Sequence, residues 1–271
     1  MRQLDRRVAV VTGAGSGIGR ATSVLLAEKG CRVAIADVNE AGLEETARLV
    51  REKGGSVSVH RVDVSDRAGV EAFASEVVQE HGGVHILINN AGVSVNSKFV
   101  DHSLEDFEWL MGINFWGVVY GCKFFLPHLL RADEAHIVNI SSVFGLAGVP
   151  QQSSYCASKF AVRGFTESLR TELQGTQVGI TTVHPGGIAT NIAAASRVTG
   201  DEKMLASHKR TIQMFRKLMP PEEAARQIVQ GITGRRARVL IAPEAHLLDI
   251  AKRLAPVASD RLIDWGFKRM V

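Results

Sequence analysis

The sequence predicts an α/β fold: a doubly wound parallel sheet with helices on both faces, in one domain. Three observations predict it. Short apolar runs alternate with segments of helical period from Arg7 to about Thr233. A glycine-rich turn, Thr12 to Gly19, follows the first of these runs. No linker rich in Pro, Gly or Ser divides the 271 residues, and this length is ordinary for a single α/β unit.

The apolar runs are Val8–Val11, Arg32–Ala36, Val57–Arg61, Ile86–Ile88, Ile137–Ile140, Gly179–Val183 and Val239–Ile241. Helix-like stretches lie near 18–29, 40–53, 66–80, 103–131, 153–174 and 221–232. Strands buried on both faces read as continuous apolar runs, and right-handed crossovers then wind the sheet twice. Two regions break the rhythm. Residues 187–219 form a long segment that reads as a substrate loop or lid. Residues 246–271 read as an amphipathic helical extension of the domain formed by residues 1–245. In the extension, Leu247, Leu248, Ile250, Ala251 and Leu254 fall largely on one face beside Lys252 and Arg253. Arg261–Val271 adds Trp265 and Phe267 among basic residues. Such a tail suits a helix packed over a cleft or against a partner subunit, and as a second choice a peripheral membrane contact.

Composition narrows the function classes. Apolar residues make up 45% of the chain and charged residues 22%, as in water-soluble globular proteins. No run of eighteen apolar residues suggests a membrane span. The short charged N-terminus lacks a signal-peptide core, and Cys31, Cys122 and Cys156 are far apart with no CxxC pair. A reducing, cytoplasmic setting is expected, without disulfides or a metal site. The net charge of +4 is uneven. Residues 1–191 hold 17 Lys/Arg against 20 Asp/Glu, and residues 192–271 hold 15 against 8. The basic final third reads as a solvated helical surface. It forms no aromatic-studded basic stripe that would suggest nucleic acid.

Thr12-Gly13-Ala14-Gly15-Ser16-Gly17-Ile18-Gly19 sits between a strand and a helix. Glycine lets the backbone turn tightly and approach a pyrophosphate, and the helix start offers unpaired N–H groups to the anion. The spacing is G-x-x-x-G-x-G, not GxGxxG. A glycine turn alone is a weak signal, but in this position it marks a Rossmann-type dinucleotide site. The second strand ends at Asp37, which can accept hydrogen bonds from the ribose hydroxyls and repel a 2′-phosphate. Neither Ser16 nor Val38 supplies a cation for that phosphate, so NAD(H) is expected. Asp37 could instead cap the next helix, but Asn39 is better placed to do so.

Tyr155 and Lys159 lie four residues apart, about 6 Å of helical rise on nearly one face. A free tyrosine has a pKa of about 10, and a neighbouring ammonium should lower it. Ser142 follows the strand 137–140, at the strand end where ligands of parallel sheets bind. By themselves Tyr155 and Lys159 would suit a surface or an interface better than a catalytic site.

Taken in order, TGAGSGIG, Asp63-Val64, Asn89-Asn90-Ala91-Gly92, Asn114, Ser142, Tyr155-x-x-x-Lys159 and Pro185-Gly186 with Thr190 resemble the short-chain dehydrogenase/reductase family over about residues 5–245. The resemblance implies an NAD(H)-dependent oxidoreductase acting on a secondary alcohol or ketone. It implies a catalytic set of Asn114, Ser142, Tyr155 and Lys159, with Tyr155 as acid and base. It implies cofactor contacts from Gly13, Ser16, Gly17, Ile18, Gly19, Asp37, Asp63, Val64, Asn90, Ala91, Gly92, Tyr155, Lys159, Pro185, Gly186, Ile188 and Thr190. It also implies a homodimer or homotetramer paired through the helices at about 103–131 and 153–174.

Other residues are read as structural. Cys156 has no neighbour that would activate a thiolate, and His184 precedes Pro185 at a strand end. Trp109 and Trp116 suit core or interface. Three competing readings remain open: a non-catalytic NAD-binding scaffold, an NADP-dependent carbonyl or 3-oxoacyl reductase, and a methyltransferase of similar fold. The last would need neither Tyr155, Lys159 nor Ser142. Met204, Leu205, Met214, Phe215, Leu218 and Met219 in the long segment suit an apolar substrate or ordinary helix packing.

Overall fold

The computed structural model describes residue 1 and residues 3–260. Seven strands form one parallel sheet: β1 (Val8–Thr12), β2 (Arg32–Asp37), β3 (Val57–Arg61), β4 (Ile86–Asn89), β6 (Ala135–Ile140), β7 (Val178–Pro185) and β9 (Arg238–Ile241). Their order is β3-β2-β1-β4-β6-β7-β9. Each apolar run expected from sequence is one of these strands. Every residue of β1, β4 and β6 is buried, as continuous apolar runs require when helices cover both faces.

The helices are α1 (Gly17–Glu28), α2 (Glu40–Glu52), α3 (Arg67–His81), α4 (Leu104–Met111), α5 (Gly117–Leu129), α6 (Ser153–Glu172), α7 (Glu202–Phe215), α8 (Pro221–Thr233) and α9 (Pro243–Leu254). One apolar core lies between the sheet and α1, α2 and α8; the other lies between the sheet and α3, α5 and α6. The fold is therefore the Rossmann-type doubly wound sheet. The chain first winds outward from β1 through β2 to β3, then returns to β4 and winds the other way. The switch between β1 and β4 opens the crevice in which such sheets bind ligands.

The stretch expected as one helix over 103–131 is interrupted. A π-helical turn, Gly112–Trp116, joins α4 to α5 and holds Asn114. Leu104–Leu129 is long and apolar enough to cross a membrane by length and composition. Its buried residues Val118, Cys122 and Phe125 instead pack into the core beneath the sheet.

The long segment 187–219 carries structure of its own. Within it lie the short strand β8 (Arg197–Thr199) and α7, neither evident from the apolar pattern. β8 pairs in parallel with β5 (Val95–Ser97). Arg197 fastens the segment to α4: its guanidinium stands 3.5 Å over the Trp109 ring and bonds Asp106 at 2.6 Å. The ends of the segment meet where Ala189 N–H donates to the Met219 carbonyl at 2.8 Å. α9 runs through the start of the C-terminal extension, from Pro243 to Leu254. Leu247, Ile250 and Leu254 on it face outward. The second stretch, 261–271, lies outside the described residues.

Candidate active site

The glycine loop is built to admit nothing larger than hydrogen at two positions. Gly13 has φ of 65°, and a Cβ there would sit 2.7 Å from the Ala91 Cα. A Cβ on Gly19 would lie 2.1 Å from the Gly13 carbonyl oxygen. The loop therefore packs directly on the Asn90–Ala91 backbone. Asn90 fixes this contact by donating from Nδ2 to the carbonyls of Thr12 and Gly13, at 2.9 and 3.1 Å. Thr12 Oγ1 accepts from the Asn90 and Ala91 amides in return.

The start of α1 points at this loop without a side-chain cap. Ser16 makes no capping hydrogen bond, and the first turn has no acidic residue. By contrast, Asn39 caps α2 and Asp66 caps α3 through their side-chain oxygens. An open helix start beside a glycine cradle fits a bound pyrophosphate. The Asp37 carboxylate lies at the same edge and accepts from Gly15 N–H at 2.9 Å and Asn39 N–H at 3.0 Å. Ile18 packs against the core beneath the loop. Arg20 is the nearby cation, but its guanidinium is committed to the Gly15 and Gly42 carbonyls and the Thr46 hydroxyl. It pins the loop to α2. Farther along the crevice, the Asp63 carboxylate accepts from the Ser65 amide and hydroxyl, and Val64 packs against Gly117 of α5.

Ser142, Tyr155, Lys159 and Asn114 come together on the other side of β4. Ser142 follows β6, and its hydroxyl caps a short turn by accepting from Phe144 N–H at 3.1 Å. Ser142 also stands beside Tyr155, where it lowers the phenol pKa. Lys159 is buried, one helical turn beyond Tyr155, and Nζ donates to the Ile140 carbonyl at 3.0 Å. Nζ lies 5.6 Å from the centre of the Tyr155 ring. Asn114 is fully buried and spans the gap to the strand ends. It accepts from Val93 N–H at 2.8 Å, donates to the Val93 carbonyl at 2.9 Å and donates to Ser158 Oγ at 3.2 Å. A π turn widens the helix at Asn114, a distortion found often at functional sites. Gly92 leaves room for this cluster, since a Cβ there would approach Asn114 Oδ1 and Lys159 Nζ.

The electrostatics differ from the sequence expectation. Burial pushes the Tyr155 phenol up to about 12, and Ser142 beside it only partly opposes that. Burial also brings the Lys159 ammonium down to about 8, and its Nζ donates to the Ile140 carbonyl. Lys159 is therefore charged near neutrality but loses its charge before the phenol ionises, so it does not pull the phenol pKa down. His184 lies beneath: its Nδ1 is 3.0 Å from the Ser142 carbonyl, and burial lowers its pKa to about 4. All three cysteines are buried and free, with burial raising each thiol pKa, in keeping with the packing reading of Cys156. Among the described residues, no group of three or more His, Cys, Asp or Glu could hold a metal.

The strip that leaves β7 closes the crevice. Pro185 pairs with Ile241, Ile188 bridges to Met219, and Thr190 lies against Gly17, where a Cβ would be 3.0 Å from its Cγ2. Four contributors escaped the sequence reading. Ser158 and the Val93 backbone hold Asn114, Thr12 holds the 90–91 backbone, and Glu244 of α9 accepts from Gly187 N–H at 2.7 Å. Only Thr12 carried a signal, as the residue that opens the glycine loop.

Comparison with known proteins agrees with this geometry. The family described as short chain dehydrogenase matches residues 7–200. The chain is 43% identical to "Putative oxidoreductase SadH" of Mycobacterium tuberculosis, over 98% of this chain and 97% of that protein. It is 39% identical to "Probable oxidoreductase EphD" of Mycobacterium bovis, over 92% of this chain and 43% of that longer protein. A short chain dehydrogenase/reductase from Burkholderia phymatum, solved in complex with NAD, superposes with a TM-score of 0.88 at 33% identity over 97% of both chains. Levodione reductase superposes with a TM-score of 0.80 at 26% identity, over 92% of this chain and 99% of that one.

Proposed function

The chain belongs to the short-chain dehydrogenase/reductase family of oxidoreductases, and from that premise we propose that it moves a hydride between NAD(H) and a secondary alcohol or ketone. One observation carries the reading: Ser142 and Tyr155 stand beside Lys159, whose Nζ lies 5.6 Å from the phenol ring centre, across the crevice from an uncapped glycine-loop helix. When bound, the nicotinamide ring takes up or gives the hydride.

The protein's own groups handle the oxygen and its proton. In the reducing direction Tyr155 donates its proton to the carbonyl oxygen, and Ser142 donates a second hydrogen bond to the same oxygen as charge develops there. In the oxidising direction Tyr155 takes the alcohol proton. Lys159 places a positive charge behind the phenol, and Asn114 holds the Val93 backbone beside it. Phe215, Leu218 and Met219, half-buried in the segment 187–219, support an apolar substrate.

Asp37 supports NAD(H) over NADP(H). Its carboxylate stands at the edge of the glycine loop, and Arg20 beside the loop has Nε and Nη2 engaged by Thr46, Gly15 and Gly42. A panel of secondary alcohols and ketones followed by NADH absorbance tests the reading. The unmutated protein is expected to prefer NAD by about tenfold to a hundredfold, the worth of one or two hydrogen bonds to a charged group. Asp37→Ala is expected to narrow that gap. A preference for NADP would overturn the cofactor assignment, and no turnover on any substrate would favour a binding protein.

The same reading makes the protein a homo-oligomer paired through α5 and α6. Trp116, at the end of the π turn leading into α5, and Phe160 on α6 are 47% and 41% exposed, large apolar surfaces to leave in water. Light scattering is expected to report a dimer or tetramer at micromolar concentration. A 29 kDa species alone would contradict it.

A further inference from the structure

The strip Gly186–Thr190 is held from the far end of the chain. Gly186 N–H donates to the Ile241 carbonyl at 2.9 Å, and Gly187 N–H donates to the Glu244 carboxylate at 2.7 Å. Two consecutive amides of the strip are thus bound by residues at the junction of β9 and α9. The two glycines make room for that carboxylate. A Cβ on Gly186 would lie 2.5 Å from Glu244 Oε1, and one on Gly187 would lie 3.3 Å from it and 2.9 Å from Leu218 Cδ1.

The junction itself is strained. Ala242 has φ of 76° and ψ of 151°, a conformation that favours glycine, and it is buried. Strain of this kind persists only where the surroundings enforce it, and it gathers at functional sites. Here it turns the chain so that α9 starts with Glu244 facing the strip. α9 is also braced: Asp249 binds both Arg238 of β9 and Arg253. Past the clamp, the strip reaches Ile188, bridged to Met219, and Thr190, which lies against Gly17.

We propose that Glu244 is a positioning residue whose hydrogen bond to Gly187 seats the strip 186–190, which leaves β7 beside the Ser142 end of β6, against the nicotinamide half of the cofactor, coupling the C-terminal helix to that half. The proposal rests on the cofactor reading above. Its basis is the hydrogen bond, since Glu244 is solvent-exposed and its charge is screened.

The test compares two ligands that differ only in the nicotinamide end. NADH and ADP-ribose are titrated into the full chain and into Glu244→Ala and Glu244→Gln. Glu244→Ala is expected to weaken NADH by about tenfold, the net worth of one hydrogen bond, and to leave ADP-ribose unchanged. Glu244→Gln keeps an acceptor oxygen and is expected to recover most of the loss. Equal weakening of both ligands in Glu244→Ala would mean general damage and would overturn the proposal. So would an unchanged NADH affinity, or a glutamine variant no better than alanine. Each of those results leaves the cofactor reading standing. Failure of the unmutated chain to bind either ligand overturns that reading and this inference with it.

Discussion

Tyr155→Phe is expected to reduce turnover by roughly a hundredfold to ten-thousandfold, the usual worth of a positioned acid or base. NADH affinity should be nearly unchanged, because the variant keeps the ring, its edge-on contact with Phe144 and the position of Lys159. Only the hydroxyl beside Ser142 is lost. Retained activity would require another proton donor. His184 is the nearest candidate, but its Nδ1 faces the Ser142 carbonyl and burial keeps it neutral. The direction of pH dependence follows from the phenol. With a pKa near 12, Tyr155 is protonated at neutral pH and ready to act as an acid. Carbonyl reduction is therefore expected to proceed well near neutrality, and alcohol oxidation to gain rate as pH rises. Steady-state rates in both directions, from pH 6 to pH 10, test this. An oxidation rate that falls with pH would remove Tyr155 from the role of base.

Much of this site can be read in the chain because its parts are local. The loop from Thr12 to Gly19 joins one strand to the next helix, and Tyr155 and Lys159 share one turn of α6, so spacing alone displays them. The parallel strands are legible for a different reason. Val8–Thr12 and Ile86–Asn89 are buried on both faces, and a two-sided apolar run resembles nothing else of that length.

The parts that sequence does not display depend on distant partners or on short elements. β5 and β8 have three residues each, and β8 is mostly exposed, so no run marks them. They form strands because they meet each other and because Arg197 is fastened to Trp109 and Asp106. α7 had a local signal. Asp201 caps it by accepting from Met204 N–H, and Met204 and Ser207 form its inner face. That signal is hidden in a segment whose length suggests a loop. The π turn at Asn114 leaves the apolar period of its helix intact, so the distortion shows only in the backbone. The Tyr155 expectation counted only the ammonium four residues away, whereas burial raises the phenol and lowers Lys159, whose Nζ donates to the Ile140 carbonyl. Adjacency on a helix places two groups near each other. It does not decide which acceptor the cation chooses.

Acid is expected to destabilise the fold well above the range in which carboxylates titrate, through two buried imidazoles. Thr181 Oγ1 donates to the Arg236 carbonyl at 2.5 Å, so it must accept from His136, and Nε2 of His136 carries the proton. His136 Nδ1 has no partner, and Gly179 lies against it so closely that a Cβ there would be 2.4 Å away. In His184, Nδ1 donates to the Ser142 carbonyl and Nε2 has no partner. A second proton on either ring would add a buried N–H with no acceptor. Burial accordingly lowers His136 to about 3 and His184 to about 4, from 6.5. Both folded pKa values lie below the unfolded one, so the unfolded chain binds more protons between them. Stability is full above pH 6.5 and is lost as pH falls toward the folded values. From pH 7 to pH 5 the two rings together cost about 4 kcal/mol at most, close to 1.4 kcal/mol per ring for each unit titrated. Urea denaturation at the two pH values measures this, with the reverse control that His136→Gln should shrink the difference by about half. Equal stability at pH 5 and pH 7 would show that both rings accept their second proton in the folded protein.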